Sequence, residues 1–290
     1  ALAVLATTGN LNNDIGLPLM LLRLHGSHRA AVIEMGMNHP GEIAYLTRLA
    51  RPTVALVNNA QRAHLAGLGG VAEVARAKGE IFTGLRTAGT AVLNADDQFF
   101  PLWKTLVGKH PCLTFGLDAK ADVSAQYRLT DSGSLIHLTT TTHGDIDMRV
   151  PLLGRHNVMN TLAGAGAAIA AGASLEQVKT GLEKLRTVSG RLEVKPGISG
   201  ARIIDDTYNA NPASVAAGLQ VLKEFKGERV LVLGDMGELG PSAADIHYRV
   251  GELASRIGIQ RLFAIGELSR IAVGAFGKGA RHFDSPEALV

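Results

Sequence analysis

Short β-branched or aliphatic runs recur along this chain with helical patterns between them, and that alternation restricts the fold more than any other feature. Ala1 to Ala6, Ala30 to Met35, Thr53 to Val57, Thr90 to Leu93 and Cys112 to Phe115 are the strand candidates of the first half. Strands separated by helices pair in parallel, so an α/β fold with a mostly parallel sheet is expected. The clearest helix lies between Gly70 and Leu85, where Val71, Val74, Ala75, Ile81 and Phe82 share a face that Lys78 leaves. From Asp122 to Pro151 the period shortens toward two, with turn residues at Asp131-Ser132-Gly133 and His143-Gly144-Asp145, which predicts a hairpin-rich insertion beside that sheet. Helices are expected over Asn157 to Ala171 and Ser174 to Leu185, the second opened by a capping box in which Ser174 and Gln177 stand three apart. Past Thr187-Val188-Ser189-Gly190 the alternation restarts. Strands at Arg202 to Asp205, Arg229 to Leu233 and Arg261 to Ile265 flank helices at Pro212 to Phe225 and Ser242 to Ile257, a second α/β unit. The domains are drawn as 1–188 and 189–290, and Asp284-Ser285-Pro286-Glu287 announces one more helix.

Composition narrows the class. At 290 residues the chain exceeds a comfortable single core, and 46% hydrophobic with 19% charged residues is globular. Aromatic residues make up only 4%, which argues against a surface built to stack bases or sugars. The net charge of +3 comes from interspersed acids and bases without a long basic run, so nucleic acid is not an expected partner. Cys112 is the sole cysteine, which excludes a disulfide framework and a cysteine metal cluster and suits a reducing cytosol. The Ala- and Gly-rich stretch Val158 to Ala173 lacks the large apolar residues of a membrane span and is expected to be a closely packed helix. Ala1 to Ala6 has no positive n-region or cleavage site, and it reads as a strand met midway, not a signal peptide.

Several polar positions stand where such a fold binds ligands, at the carboxyl ends of strands. Glu34 follows an apolar strand and suits Mg²⁺ on a nucleotide, or it caps the next helix. His64 follows another strand on the same rim, as a metal ligand or as polar surface. Lys78 is either a solvated helix lysine or, with a depressed pKa, an amine that takes up carbon dioxide to become an oxygen donor for a second Mg²⁺. Asn10, Asn12 and Asn13 gather three amides in one loop, which suits turn formation and polydentate recognition equally. In Gly154-Arg155-His156-Asn157 and in Asp205 to Pro212, Asn157 and Asn211 can cap helices while the acids can hold a ribose. No G-x-x-x-x-G-K-[ST] loop or shorter Gly-x-x-Gly-Lys-Thr occurs, and Gly234 to Gly240, although glycine-rich, carries no lysine for phosphates.

Nine segments in order then set the comparison: Gly9 to Gly16; Glu34-Met35-Gly36 with Gly41-Glu42-Ile43; Val57-Asn58-Asn59 with Ala63-His64-Leu65; Ala77 to Phe82; Leu93-Asn94-Ala95-Asp96-Asp97; Gly154 to Asn157; Gly190-Arg191-Leu192-Glu193; Asp205 to Pro212; and Leu233 to Gly240. Together they resemble the Mur ligases. The resemblance implies a central ATPase-type domain, here without its first strand and phosphate loop, followed by part of a Rossmann-like C-terminal domain, with the substrate-binding first domain absent. It implies ATP and two Mg²⁺ sites, one served by Glu34 and one by His64 and carbamylated Lys78. It further implies that Asn157 contacts adenine, Arg191 reaches the phosphates, and Asp205 holds the ribose with Tyr208 and Asn209 beside it. Lys78, His64 and Arg191 would then be catalytic, while Asn10, Asn12, Asn13, Asn209 and Asn211 would line the substrates. The implied reaction joins D-alanyl-D-alanine to the tripeptide carboxylate of UDP-N-acetylmuramoyl-tripeptide through an acyl phosphate, in a cytoplasmic monomer. Without a phosphate loop, the chain as given is expected to be inactive. A sibling ligase on the same scaffold, such as folylpolyglutamate or cyanophycin synthetase, and a non-catalytic α/β binding module are the alternatives.

Overall fold

A computed structural model describes residues 3–61 and 69–289. They divide into two compact units, one of Ala1–Gln126, His137–Ile146 and Met159–Lys179, the other of Tyr127–Ile136, Asp147–Val158 and Thr180–Val290. The first unit opens with β1 (Val4–Ala6), α1 (Gly16–Leu22), β2 (Ala30–Val32), α2 (Glu42–Ala50) and β3 (Val54–Val57). It continues with α3 (Val71–Gly79), a 3-10 turn at Glu80–Gly84, β4 (Thr90–Asn94), α4 (Phe100–Val107) and β5 (Cys112–Phe115). Next come β6 (Val123–Thr130), β7 (Gly133–Thr140) and β8 (Gly144–Val150), each divided between the two units.

The expected parallel pairing holds for β3, β4 and β5, with Val54 opposite Thr90 and Ala91 opposite Cys112. One correction concerns partners. β1 and β2 pair in parallel with each other and form a separate two-stranded sheet, because hydrophobic periodicity reports an extended segment without naming its neighbour. The hairpin strands stand beside the parallel strands as expected and continue their sheet, in the order β3-β4-β5-β6-β7-β8. Their connections of two and three residues allow only antiparallel neighbours.

The helix expected through Leu85 ends at Gly79 and tightens into the 3-10 turn. The segment packs closely on α2: a Cβ on Gly84 would lie 2.4 Å from the Thr47 carbonyl, so this glycine permits an approach that no side chain allows. Trp103, wholly buried on α4, donates its indole N–H to the Ala75 carbonyl at 2.8 Å, and Leu46, Val74, Phe82 and Leu93 close the core around it.

The Ala- and Gly-rich segment is α5 (Arg155–Ala170), which begins two residues before the expected Asn157, so Asn157 lies inside the helix and does not cap it. A Cβ on Gly166 would stand 3.0 Å from Leu113 and 3.2 Å from Val92, which explains the small residues on this helix. α6 (Leu175–Glu183) starts on the expected capping box, with Ser174 and Gln177 exchanging hydrogen bonds. Among the described residues, no helix is long and apolar enough to cross a membrane.

The second unit continues with β9 (Glu193–Pro196), β10 (Arg202–Asp205), α7 (Pro212–Glu224), β11 (Val230–Leu233), α8 (Ala243–Arg256), β12 (Arg261–Ile265), α9 (Ser269–Phe276), β13 (Ala280–Phe283) and α10 (Pro286–Leu289). β11, β12 and β13 form the parallel sheet of the Rossmann-like pattern. β10 departs from the expected alternation. It pairs antiparallel with β9, in a hairpin where Lys195 stands opposite Ile203 and Glu193 opposite Asp205. Leu219, Leu233, Val250, Leu262 and Phe276 form the core of this unit.

Candidate functional site

In the first unit the loop after β1 and the loop after β2 meet through polar side chains. Asn12 donates Nδ2–H to Glu34 Oε1 at 2.8 Å, and the Glu34 amide donates to Thr7 Oγ1 at 2.9 Å. The Asn12 carbonyl accepts from the Gly36 amide at 2.8 Å, and a Cβ on Gly36 would press 3.0 Å from the Asn12 side chain. Glu34 is therefore an exposed carboxylate steadied by an amide donor, two residues past its strand. It does not cap α2: Glu80 accepts from the Gly41 and Ala44 amides, and Glu42 from those of Asn38 and His39. The three asparagines differ. Asn13 Oδ1 accepts from the Gly16 amide at 2.8 Å and starts α1, Asn12 serves Glu34, and Asn10 is exposed.

Lys78 leaves the apolar stripe of α3 as expected, yet it is half-buried and not solvated. Its Nζ donates to the Asn59 carbonyl at 2.7 Å. Burial pushes its pKa down, and the charge of Asp97 opposes that shift. A depressed pKa favours the neutral amine, the form that adds to carbon dioxide, and an exposed carboxylate such as Glu34 suits a hard cation, so both side chains fit the metal chemistry considered for them. His64 lies outside the described residues. Among the described residues no cluster of three His, Cys, Asp or Glu side chains gathers for a metal.

In the second unit the turn at 190–192 meets the loop after β10. Gly190 has φ of 71°, its carbonyl accepts from the Tyr208 amide at 3.1 Å, and a Cβ on it would lie 2.8 Å from that same nitrogen. The Arg191 guanidinium stacks 4.2 Å from the Tyr208 ring centroid. Asp205 accepts from Lys195 Nζ on one oxygen and from the Thr207 hydroxyl and amide on the other. Lys195 and then Thr207 hold its carboxyl down to about 2. Asp206, next to it, accepts from the Leu192 amide at 3.3 Å, and burial pushes its pKa up. Burial also pushes the half-buried His156 imidazole down, against the pull of the Asp206 charge. Asn157 Nδ2 donates to the Leu153 carbonyl at 2.9 Å. Asn211 caps α7 in a reciprocal box with Ser214, so its Oδ1 serves the Ala213 and Ser214 amides, while Asn209 is exposed.

Sequence reasoning brought these loops forward, with Asp206 among the acids considered for a ribose, and its motifs include Glu80, Asn94 and Asp97 without giving them a role; Thr7 and Lys195 it passed over. Of those two, Lys195 carried a local signal, since it shares a strand face with Glu193 in an alternating run.

Residues 1–168 match the Mur ligase middle domain, and residues 190–290 match the Mur ligase glutamate ligase domain. The UDP-N-acetylmuramoyl-tripeptide--D-alanyl-D-alanine ligase of Escherichia coli (strain K12) is 45% identical over 99% of this chain and 63% of its own length. A crystal structure of MurF from Acinetobacter baumannii aligns with a TM-score of 0.93 at 36% identity, over 99% of this chain and 63% of that one. MurF ligase from Thermotoga maritima in complex with ADP aligns at a TM-score of 0.86 and 25% identity, over 99% of this chain and 66% of that one. The chain spans less than two thirds of the length of the curated relatives it matches first. A middle-domain match that occupies more than half of the residues, on the parallel sheet and strand-end loops described above, settles the family: the chain belongs to the Mur ligases.

Proposed function

We propose that this chain is the catalytic part of an ATP-dependent ligase that joins D-alanyl-D-alanine to the tripeptide carboxylate of UDP-N-acetylmuramoyl-tripeptide, acting as a cytoplasmic monomer in peptidoglycan synthesis. The observation that carries this reading is the likeness to D-alanyl-D-alanine ligases along nearly the whole chain, in both units. The ADP bound by the Thermotoga relative supports ATP as the energy source. We divide the chain near Val188, between the two family matches.

ATP with its Mg²⁺ would supply the phosphoryl group that activates the tripeptide carboxylate for attack by the amine. Glu34, steadied by Asn12, would hold one cation. Lys78 as its carbamate, with His64, would hold a second, so that fixed charges meet the negative charge that gathers on the transferring oxygens. Arg191, stacked on Tyr208, would add a cation toward the phosphates. Asn157 would serve adenine and Asp205 the ribose. For Asp205 this requires the Lys195 and Thr207 contacts to be shared or exchanged. Asn10, Asn12, Asn13, Asn209 and Asn211 would line the peptide substrates, Asn211 through its Nδ2 because its Oδ1 is engaged in the cap.

The test is phosphate release from ATP by a protein of the relatives' full length that carries this chain. Release should require both UDP-N-acetylmuramoyl-tripeptide and D-alanyl-D-alanine, and Lys78→Ala should lower it by at least about a hundredfold. Equal turnover with a single amino acid in place of the dipeptide would assign the chain to a sibling ligase instead.

A further inference from the structure

Three consecutive residues beyond β3 are each pinned by a side chain from elsewhere in the first unit: Asn94 at the end of β4, Lys78 on α3 and Asp97 in the turn before α4. The Asn58 carbonyl accepts Nδ2–H of Asn94 at 2.9 Å, the Asn59 carbonyl accepts Nζ–H of Lys78 at 2.7 Å, and the Ala60 amide donates to Asp97 Oδ2 at 3.0 Å. The two braces are themselves fixed. Asn94 is buried at the end of β4, and its Oδ1 accepts from the Asp96 amide at 2.9 Å. Asp97 Oδ1 accepts from the Phe99 amide at 2.8 Å at the start of α4. Asn58 is also tied through its side chain, which donates to Asn160 Oδ1 of α5 at 2.7 Å. Outside a ladder a carbonyl can rotate with its peptide plane; here the planes on both sides of Asn59 are held, so its oxygen has one direction.

We propose that Asn94 and Asp97 are positioning residues for Lys78: by holding Asn58 and Ala60 they aim the Asn59 carbonyl, which in turn orients the Lys78 nitrogen and any carbamate formed on it. The inference rests on the carbamate reading given above, and the chemistry explains why a carbonyl suits the task. When neutral Nζ adds to carbon dioxide, an N–C bond forms, one C–O π pair becomes an oxygen lone pair, and one proton leaves for solvent. The nitrogen keeps its other proton. That N–H can remain on the Asn59 carbonyl, and because a carbamate is planar for the same resonance reason as a peptide, fixing the N–H direction fixes where its two oxygens point.

The test uses the full chain with ¹³C-bicarbonate, following the carbamate resonance by ¹³C NMR and assigning it by its loss in Lys78→Met. Hydrogen exchange at the Ala60 amide and thermal unfolding are measured on the same samples. Asp97→Ala and Asp97→Asn both remove the charge that raises the Lys78 pKa, so the brace is read from the difference between them. Asp97→Asn keeps an oxygen for the Ala60 amide, and Asp97→Ala should fall below it about fivefold in carbamate occupancy, the equivalent of one hydrogen bond, with Ala60 deprotected. Asn94→Ala loses the donor to Asn58 without adding a charge and should lower occupancy relative to wild type; it also serves as the comparison if Asp97→Ala does not fold. Equal occupancy in folded Asp97→Ala and Asp97→Asn would overturn the proposal. A wild-type chain with no carbamate signal would count against the metal reading alone. The brace would then be judged by the acetylation rate of Lys78 under acetic anhydride, which should be faster in Asp97→Ala than in the equally uncharged Asp97→Asn; equal rates would dismiss it.

Discussion

Neighbouring acids at 205 and 206 show how one residue's difference in surroundings sets opposite protonation behaviour. Asp205 meets a lysine and a threonine and its carboxyl falls to about 2, while burial pushes Asp206 the other way. Because the folded value of Asp205 lies below its ordinary 3.8, the ionised form favours folding. That contribution is complete above the ordinary value and is lost as the pH falls through about 2. Lys195 is the larger cause. Lys195→Met should therefore bring the Asp205 titration midpoint, followed by ¹³C NMR of its carboxyl, most of the way back toward 3.8. A midpoint that stayed near 2 would give the effect to Thr207 alone. The same substitution should leave Asp206 high, since burial and not Lys195 is its leading cause.

Helix starts in this chain are set by side chains whose roles are easily confused with ligand binding. Asn211 is the clearest, with its Oδ1 accepting from two amides and its own N–H donating to Ser214 Oγ. Asn211→Ala should cost about 1 kcal/mol in urea unfolding, and Asn211→Asp, which preserves the acceptor, much less. Equal losses would mean that the Nδ2 group matters more than the cap. Caps, strands and helices of this kind are local, so their spacing made them legible: Ser174 with Gln177, Pro212 after Asn211, and the runs at β3, β4 and β5 all stand within a residue or two of expectation. Partners distant in sequence were not legible. Asn12 reaches Glu34 across 22 residues, and Asp97 reaches Ala60 across 37, with nothing in either segment's period to join them. β10 offered the same strand signal as β11, and only the fold shows that it pairs with β9 and not with the parallel sheet. The order of motifs supplied what period could not, because a family's segments carry their spatial arrangement with them.

Each compact unit encloses an apolar core of its own, and that separation governs how the whole chain should respond to denaturant. Trp103 is the sole tryptophan and is fully buried in the first unit, so its fluorescence reports that unit. Leu262, also fully buried, belongs to the core of the second unit together with Leu219, Leu233 and Phe276. Truncating a buried leucine removes its transfer free energy and leaves a cavity, which costs about 2–5 kcal/mol in the unit that loses it. Leu262→Ala should therefore move the far-ultraviolet circular dichroism transition of the second unit to lower urea while the fluorescence transition stays in place. Leu93→Ala, in the core around Trp103, should do the reverse. The two probes separate the cases cleanly because domains with their own cores unfold as separate cooperative units when little of their stability is shared. If both variants shifted both transitions equally, the two cores would have to be treated as one cooperative body, and the division of the chain into separately stable parts would fail.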